Sequence, residues 1–194
     1  MRKLGFVTLL SLVLALLALS LGTARAGADE PVFTCNTLTP TIIATEPGTI
    51  NGTSGDDVII GTAGNDTING GAGNDTICGE GGDDRIHGGS GDDQMWGEVR
   101  GGDVLIGTAG NDQINGGSGD DLLVDPVGSG QTLDGGSGAD RVNGFGTLNG
   151  GSGADNVRVL GTPLGPSTLN GGSGIDTCTP FSDDDTVRFC EVLP

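Results

Sequence analysis

The sequence predicts an all-β fold, a parallel β-solenoid of short stacked strands. Three observations lead there: a nine-residue unit recurs from Gly52 onward, each unit places one large apolar residue at the same position, and 40 of the 194 residues are glycine. A short fixed period marks a repeat architecture in which each unit covers the apolar side chain of its neighbour. With only 3% aromatic residues and a formal charge of −18, an ordinary core of large side chains is excluded.

Laid out in nines from Gly52, the chain reads GTSGDDVII, GTAGNDTIN, GGAGNDTIC, GEGGDDRIH and GGSGDDQMW. The register resumes with GTAGNDQIN at Gly107 and GGSGDDLLV at Gly116. Between them Gly97 reads as one extra residue, after which EVRGGDVLI puts Asp103 and Leu105 at the sixth and eighth places. Glycine at the first and fourth places permits a turn with φ > 0 and a close approach of backbone carbonyls. Aspartate at the sixth place offers the hard carboxylate oxygen that Ca²⁺ takes. The apolar eighth residue heads a short strand and points inward. One such residue per nine is a thin core, so bound metal is expected to supply the remaining stability.

At these residues the chain resembles the RTX, or haemolysin-type calcium-binding, repeat family, whose pattern G-G-x-G-x-D-x-U-x is matched place for place by GGAGNDTIC and GGSGDDLLV. The resemblance covers residues 52–179. It implies a right-handed parallel β-roll in which two nonapeptides make one coil and Ca²⁺ sits between turns one coil apart. Successive half-coils then fall on opposite edges. Asp57, Asp75, Asp93 and Asp112 line the first edge, which ends there, and Asp66, Asp84, Asp103, Asp121, Asp140, Asp155 and Asp176 line the second. Beyond Asp125 every other half-coil (DPVGSGQTLD, GFGTLN, VLGTPLGPSTLN) lacks the turn aspartate and varies in length, whereas those with it stay at nine residues. A lopsided array of about nine Ca²⁺ sites at most is expected, each with affinity on the order of 10⁻⁴ M. Folding is expected to require the ion, because like charges hold the metal-free chain open.

The start MRK, the apolar run Leu4 to Leu21 and the A-x-A site Ala24-Arg25-Ala26 read as a signal peptide over residues 1–26; a retained membrane anchor is the alternative. Its removal leaves 26 acidic residues against five basic ones and no lysine. Nucleic acid and anionic membranes are excluded as direct partners, since phosphate contact needs Lys and Arg. An extracellular location follows. Cys35, Cys78, Cys178 and Cys190 then suit two disulfides. Of three possible pairings, the local ones, Cys35–Cys78 and Cys178–Cys190, would clip the two ends of the array. A zinc site is disfavoured by the absence of C-x-x-C and by a single histidine, His87.

The expected organisation is therefore a signal peptide (1–26), an N-terminal cap or edge segment (27–51), the roll (52–179) and a disulfide-closed C-terminal cap (180–194). The family's one-step export route, which reads an uncleaved C-terminal signal, does not carry over to a chain with an N-terminal signal peptide. Gly27 to Asn51 is too short for a catalytic domain, and His87 stands at a variable ninth place, so no enzyme is expected. The functional expectation is an exported calcium-binding module with a structural or adhesive role. The alternatives are an ice-binding or other surface-recognition solenoid, to which Thr62 with Asn65 and Thr108 with Asn111 would contribute, and a small hydrolase.

Overall fold

The last three residues of each unit are mostly Thr, Ile, Val, Leu and Asn around a central aliphatic, a composition that suits a pleated surface buried on one side. The computed structural model describes residues 35–98, 101–128, 130–160 and 165–192, and among them every regular element is a strand. The expected signal peptide lies outside the described residues.

The strands form two nine-stranded parallel sheets, and the chain alternates between them at every half-coil. The first sheet comprises Ile42–Ile43, Val58–Thr62, Thr76–Glu80, Gln94–Trp96, Gln113–Ser118, Thr132–Ser137, Thr147–Gly153, Thr168–Gly174 and Thr186–Arg188. The second comprises Thr49–Asn51, Thr67–Ala72, Arg85–Ser90, Val104–Ala109, Leu122–Val124, Arg141–Gly144, Asn156–Val159, Thr177–Thr179 and Glu191–Val192. Each strand pairs with the next but one, which is the parallel β-roll that the repeat implies. The roll runs through both expected end segments.

Alternation along most strands points the eighth-place residue inward between two exposed or half-exposed neighbours, the exceptions being the strands of Ile59 and Ile77, where outward residues are buried as well. Two apolar ladders result. Ile59, Ile77, Met95, Ile114, Leu133, Leu148 and Leu169 stack in the first sheet, facing Ile68, Ile86, Leu105, Leu123, Val142, Val157 and Cys178 in the second. The ladder keeps its register while coil length changes: Ile59 pairs with Ile77, 18 residues on, Met95 with Ile114 at 19, Leu133 with Leu148 at 15, and Leu148 with Leu169 at 21. Length variation is absorbed in turns, because a one-residue slip within a strand would turn its apolar side chain out to solvent.

Two details differ from the sequence expectation. Gly97 is not the extra residue: its N–H donates to the Asn115 carbonyl (2.9 Å) as Gly52 does to Asn69 (2.8 Å), so it holds the first place and the insertion falls inside the turn before Asp103. The first edge also does not end at Asp112. Its next sixth places are Gln131, Gly146 and Ser167, and then Asp185, in the unit PFSDDDTVR, restores an aspartate with Val187 at the eighth place. Where the turn aspartate is missing, Phe145 and Val159 are buried instead and extend the apolar core.

Both disulfides take the local pairing, Cys35–Cys78 and Cys178–Cys190. Cys35 and Cys78 join Ile60 in a second apolar cluster with Val58 and Trp96 against it, so the first described residues are pinned to the outer face of the first sheet. Cys178 is itself an inward ladder residue, and its partner Cys190 closes the far end of the core.

If the paired ladders carry the packing, Leu105→Ala should lower stability in saturating Ca²⁺ by about 2–5 kcal/mol. Thr67→Ala, on the exposed face, should change it by less than about 0.5 kcal/mol. Urea unfolding followed by circular dichroism measures both.

Candidate metal centres

Three residues of each unit point inward, the sixth-place Asp, the eighth-place aliphatic and the first-place Gly of the next unit, so carboxylates line the two edges of the roll on either side of its apolar middle. The two edges hold the aspartates as grouped from the sequence. On the first, the N–H of Asp57 donates to Asp75 Oδ1, that of Asp75 to Asp93 and that of Asp93 to Asp112, each at 2.9 Å. On the second, an unbroken ladder runs from Asp66 through Asp84, Asp103, Asp121, Asp140 and Asp155 to Asp176 at 2.8–3.0 Å. One oxygen of each carboxylate thus ties its coil to the previous one.

The other oxygen separates the aspartates into two kinds. Threonine holds the second place at Asp112 as well, but Thr108 turns its hydroxyl to the Gly89 carbonyl and gives Asp112 Oδ2 only its N–H at 3.2 Å; at Asp57 and Asp66 the second-place threonine gives both donors. Asp57 Oδ2 accepts the Thr53 N–H (2.6 Å) and hydroxyl (2.9 Å), and Asp66 Oδ2 accepts the same pair from Thr62 (2.7 and 2.9 Å). These carboxylates are satisfied by the protein alone. In seven turns with Gly or Glu at the second place, Oδ2 of Asp75, Asp84, Asp93, Asp121, Asp140, Asp155 and Asp176 is buried and has no hydrogen-bond partner. Each of these aspartates is at most 2% exposed. A buried carboxylate oxygen without a donor is costly, and in native proteins such groups are paired or bind metal.

The space beside these oxygens fits a cation. A Cβ added at Gly70 would run into Asp75 Oδ2 and the Gly88 carbonyl oxygen, and one at Gly116 into Asp121 Oδ2 and the Gly135 carbonyl oxygen. The first-place glycine therefore keeps open a cradle lined by a carboxylate of its own turn and a carbonyl of the next coil. Only oxygens face it, the donor set that Ca²⁺ takes. The fourth-place glycines close the turn: Gly73 has φ +111° and lies against the Gly55–Asp56 backbone, where no side chain fits. No group of three or more His, Cys, Asp or Glu side chains gathers among the described residues. At Gly70 and Gly116 a single carboxylate oxygen instead meets a main-chain carbonyl.

Electrostatics follows the same division. Hydrogen bonds from Thr53 hold the Asp57 carboxyl below its ordinary value. Burial pushes Asp84 and Asp121 up to about 7, and Asp93 and Asp140 to about 6, with neighbouring rungs of the ladder adding to the rise. Asp75, Asp103, Asp112 and Asp155 move in the same direction for the same first cause. At Asp185 burial would raise the carboxyl, but N–H groups of Ser167, Phe181 and Ser182 (2.8–2.9 Å) outweigh it and hold it low. Asp185 is thus a structural rung of the first kind. Sequence reading missed it because Pro180 and Phe181 stand where other units begin with glycine; the signal was Asp185 and Val187, two places apart. His87 is exposed between Asn69 and Ile106 of the neighbouring strands.

Residues 51–86, 79–99, 100–124 and 129–146 match, in four copies, the family model of the RTX calcium-binding nonapeptide repeat. No curated protein matches the chain. The same turn geometry continues past the matched segment to Asp155 and Asp176.

A folded-state carboxyl pKa raised above the unfolded value stabilises the fold below the unfolded pKa, and that contribution is lost as pH rises through the folded value. The metal-free roll should therefore be more folded at pH 5 than at pH 8, the loss growing as pH rises above the unfolded carboxyl value and being complete above the folded values of about 6 and about 7. Far-UV circular dichroism in chelator across that range tests it; a flat profile, or more structure at pH 8, contradicts it.

Proposed function

We infer, from RTX calcium-binding nonapeptide repeats across residues 51–146, that this chain is an exported protein that folds on extracellular Ca²⁺ and serves there as a structural or adhesive module. The observation that carries the reading is the rank of seven buried, donorless Oδ2 atoms, each at a cradle kept open by glycine. A Ca²⁺ ion in each cradle would neutralise the carboxylate, bridge successive coils and remove the repulsion within each ladder. The chemistry it supplies is cohesion between coils. Two disulfides at the ends of the roll favour an oxidising compartment, in keeping with the expected signal peptide.

The seven donorless aspartates set the expected stoichiometry at about seven, within the ceiling of about nine. They also set an order of importance. Past the Asp112 turn, the donorless sixth-place aspartates Asp121, Asp140, Asp155 and Asp176 all lie on the second edge, so Asp140→Asn should cost one ion and roughly 2.7 kcal/mol at one hundred times Kd. Asp57→Asn should leave the ion count unchanged. Calcium titration by calorimetry and circular dichroism measures both, and one or two ions in the wild type, or a spectrum indifferent to Ca²⁺, contradicts the reading.

One observation favours a second reading, recognition of an ordered surface. Thr132, Thr147, Thr168 and Thr186 stand in direct register on the outer face of the first sheet, beside a rank of Asp134, Asn149 and Asn170 linked side chain to side chain (2.8 and 3.0 Å). A rank of four replaces the scattered Thr62 and Thr108 of the sequence reading. Thermal hysteresis in the calcium-loaded protein, lost in Thr147→Lys, is the outcome this reading expects; freezing behaviour equal to that of a buffer control removes it.

A further inference from the structure

The first edge has one more buried carboxyl than its repeat pattern explains. Val124 pairs with Ile106 on one side and Asn143 on the other, so Asp125 occupies the first place of its half-coil, opposite Gly107 and Gly144. Glycine opens the other units because that place borders the cradle. At Gly107 the cradle is occupied: an added Cβ there would strike Asp112 Oδ2 and the carboxyl of Asp125, which reaches in from the next coil.

Asp125 is completely buried. Its Oδ1 accepts a 3.3 Å bond from the Val127 N–H, and its Oδ2 has no partner. Gln131, at the sixth place of the same turn and 1% exposed, brings its amide to the Asp125 carboxyl and donates Nε2 to the Val127 carbonyl at 2.6 Å. Its Oε1 is likewise buried and without a partner. Two carboxyls therefore meet in one enclosed turn with the Gln131 amide against Asp125 and a donorless Oε1 on that same side chain, and the sequence holds no Lys, Arg or His between Gly101 and Asp140 to offset them. Glycine at this place would have avoided both the desolvation and the repulsion. An aspartate there is accounted for by a cation that needs its charge.

We propose that Asp125, Asp112 and Gln131 hold an additional hard divalent cation, Ca²⁺ in the extracellular setting, at the end of the first-edge ladder. The site rests on the calcium reading of the repeats but differs from theirs: side-chain oxygens of Asp125 and Gln131 stand in for the carbonyl-lined cradle and the missing sixth-place aspartate. It closes the metal ladder where the first edge turns apolar at Phe145.

Ion counting by native mass spectrometry on the full mature chain at pH 7.4, titrated with CaCl₂ alone, tests the site. Asp125→Asn and Gln131→Leu are each expected to bind one ion fewer than wild type while keeping the calcium-loaded circular dichroism spectrum. Asp140→Asn is the reference for an ordinary cradle. If Asp140→Asn loses an ion and neither of the other variants does, the proposal fails and the calcium reading stands, leaving Asp112 and Asp125 as a proton-sharing pair. If the wild type binds no Ca²⁺, both fail. Collapse of both variants at saturating Ca²⁺ also overturns it, because a site at one turn should not be required for the whole roll.

Discussion

Everything in this roll depends on what satisfies the second oxygen of a buried carboxylate. Each sixth-place aspartate spends one oxygen on the backbone of the preceding coil, and that bond fixes the aspartate inside the edge, out of reach of water. The remaining oxygen must then find a donor, a proton or a cation. Threonine at the second place provides two donors at Thr53 and Thr62, whereas Thr108 turns its hydroxyl to the Gly89 carbonyl and glycine offers none. The second place and the direction of its hydroxyl thus decide whether a turn satisfies its own carboxylate.

That rule explains the differing character of the regions. The first coils combine two threonine-satisfied turns with the Cys35–Cys78 disulfide and the apolar ladder. The middle of the roll has donorless aspartates on both edges. Toward the far end the first edge exchanges carboxylates for Phe145 and Val159, and the apolar core widens where electrostatic cohesion is given up. Asp185, with three backbone donors, and the Cys178–Cys190 disulfide then close the array without an ion. Two ends whose turn carboxylates are satisfied by protein donors enclose a middle whose second carboxylate oxygens lack them.

Much of this was legible in the sequence because a strict period carries its own geometry. The inward ladder from Ile59 to Leu169 follows from counting in nines, the alternation of half-coils and the two aspartate edges from the family resemblance, and the local disulfides from choosing, among three pairings, those that clip the ends. What escaped was set by context. The place of Gly97 depends on which residue bonds to Asn115, and period counting cannot distinguish an insertion before the turn from one within it. Asp185 was hidden by a unit without glycines. Asp125 reads as a broken glycine place and becomes meaningful only when the coil above it leaves its carboxyl beside Asp112. The second place carried part of the split between satisfied and donorless aspartates, but its effect depends on where the threonine hydroxyl points, to the carboxylate at Thr53 and Thr62 and to the Gly89 carbonyl at Thr108.

The most direct test is a crystal structure of the calcium-saturated protein with the ions located by anomalous scattering. The account expects ions in the cradles beside Asp75, Asp84, Asp93, Asp121, Asp140, Asp155 and Asp176, and none served by Oδ2 of Asp57 or Asp66. Cradles filled by water at saturating Ca²⁺, or ions seated equally at the Thr53 and Thr62 turns, would contradict it.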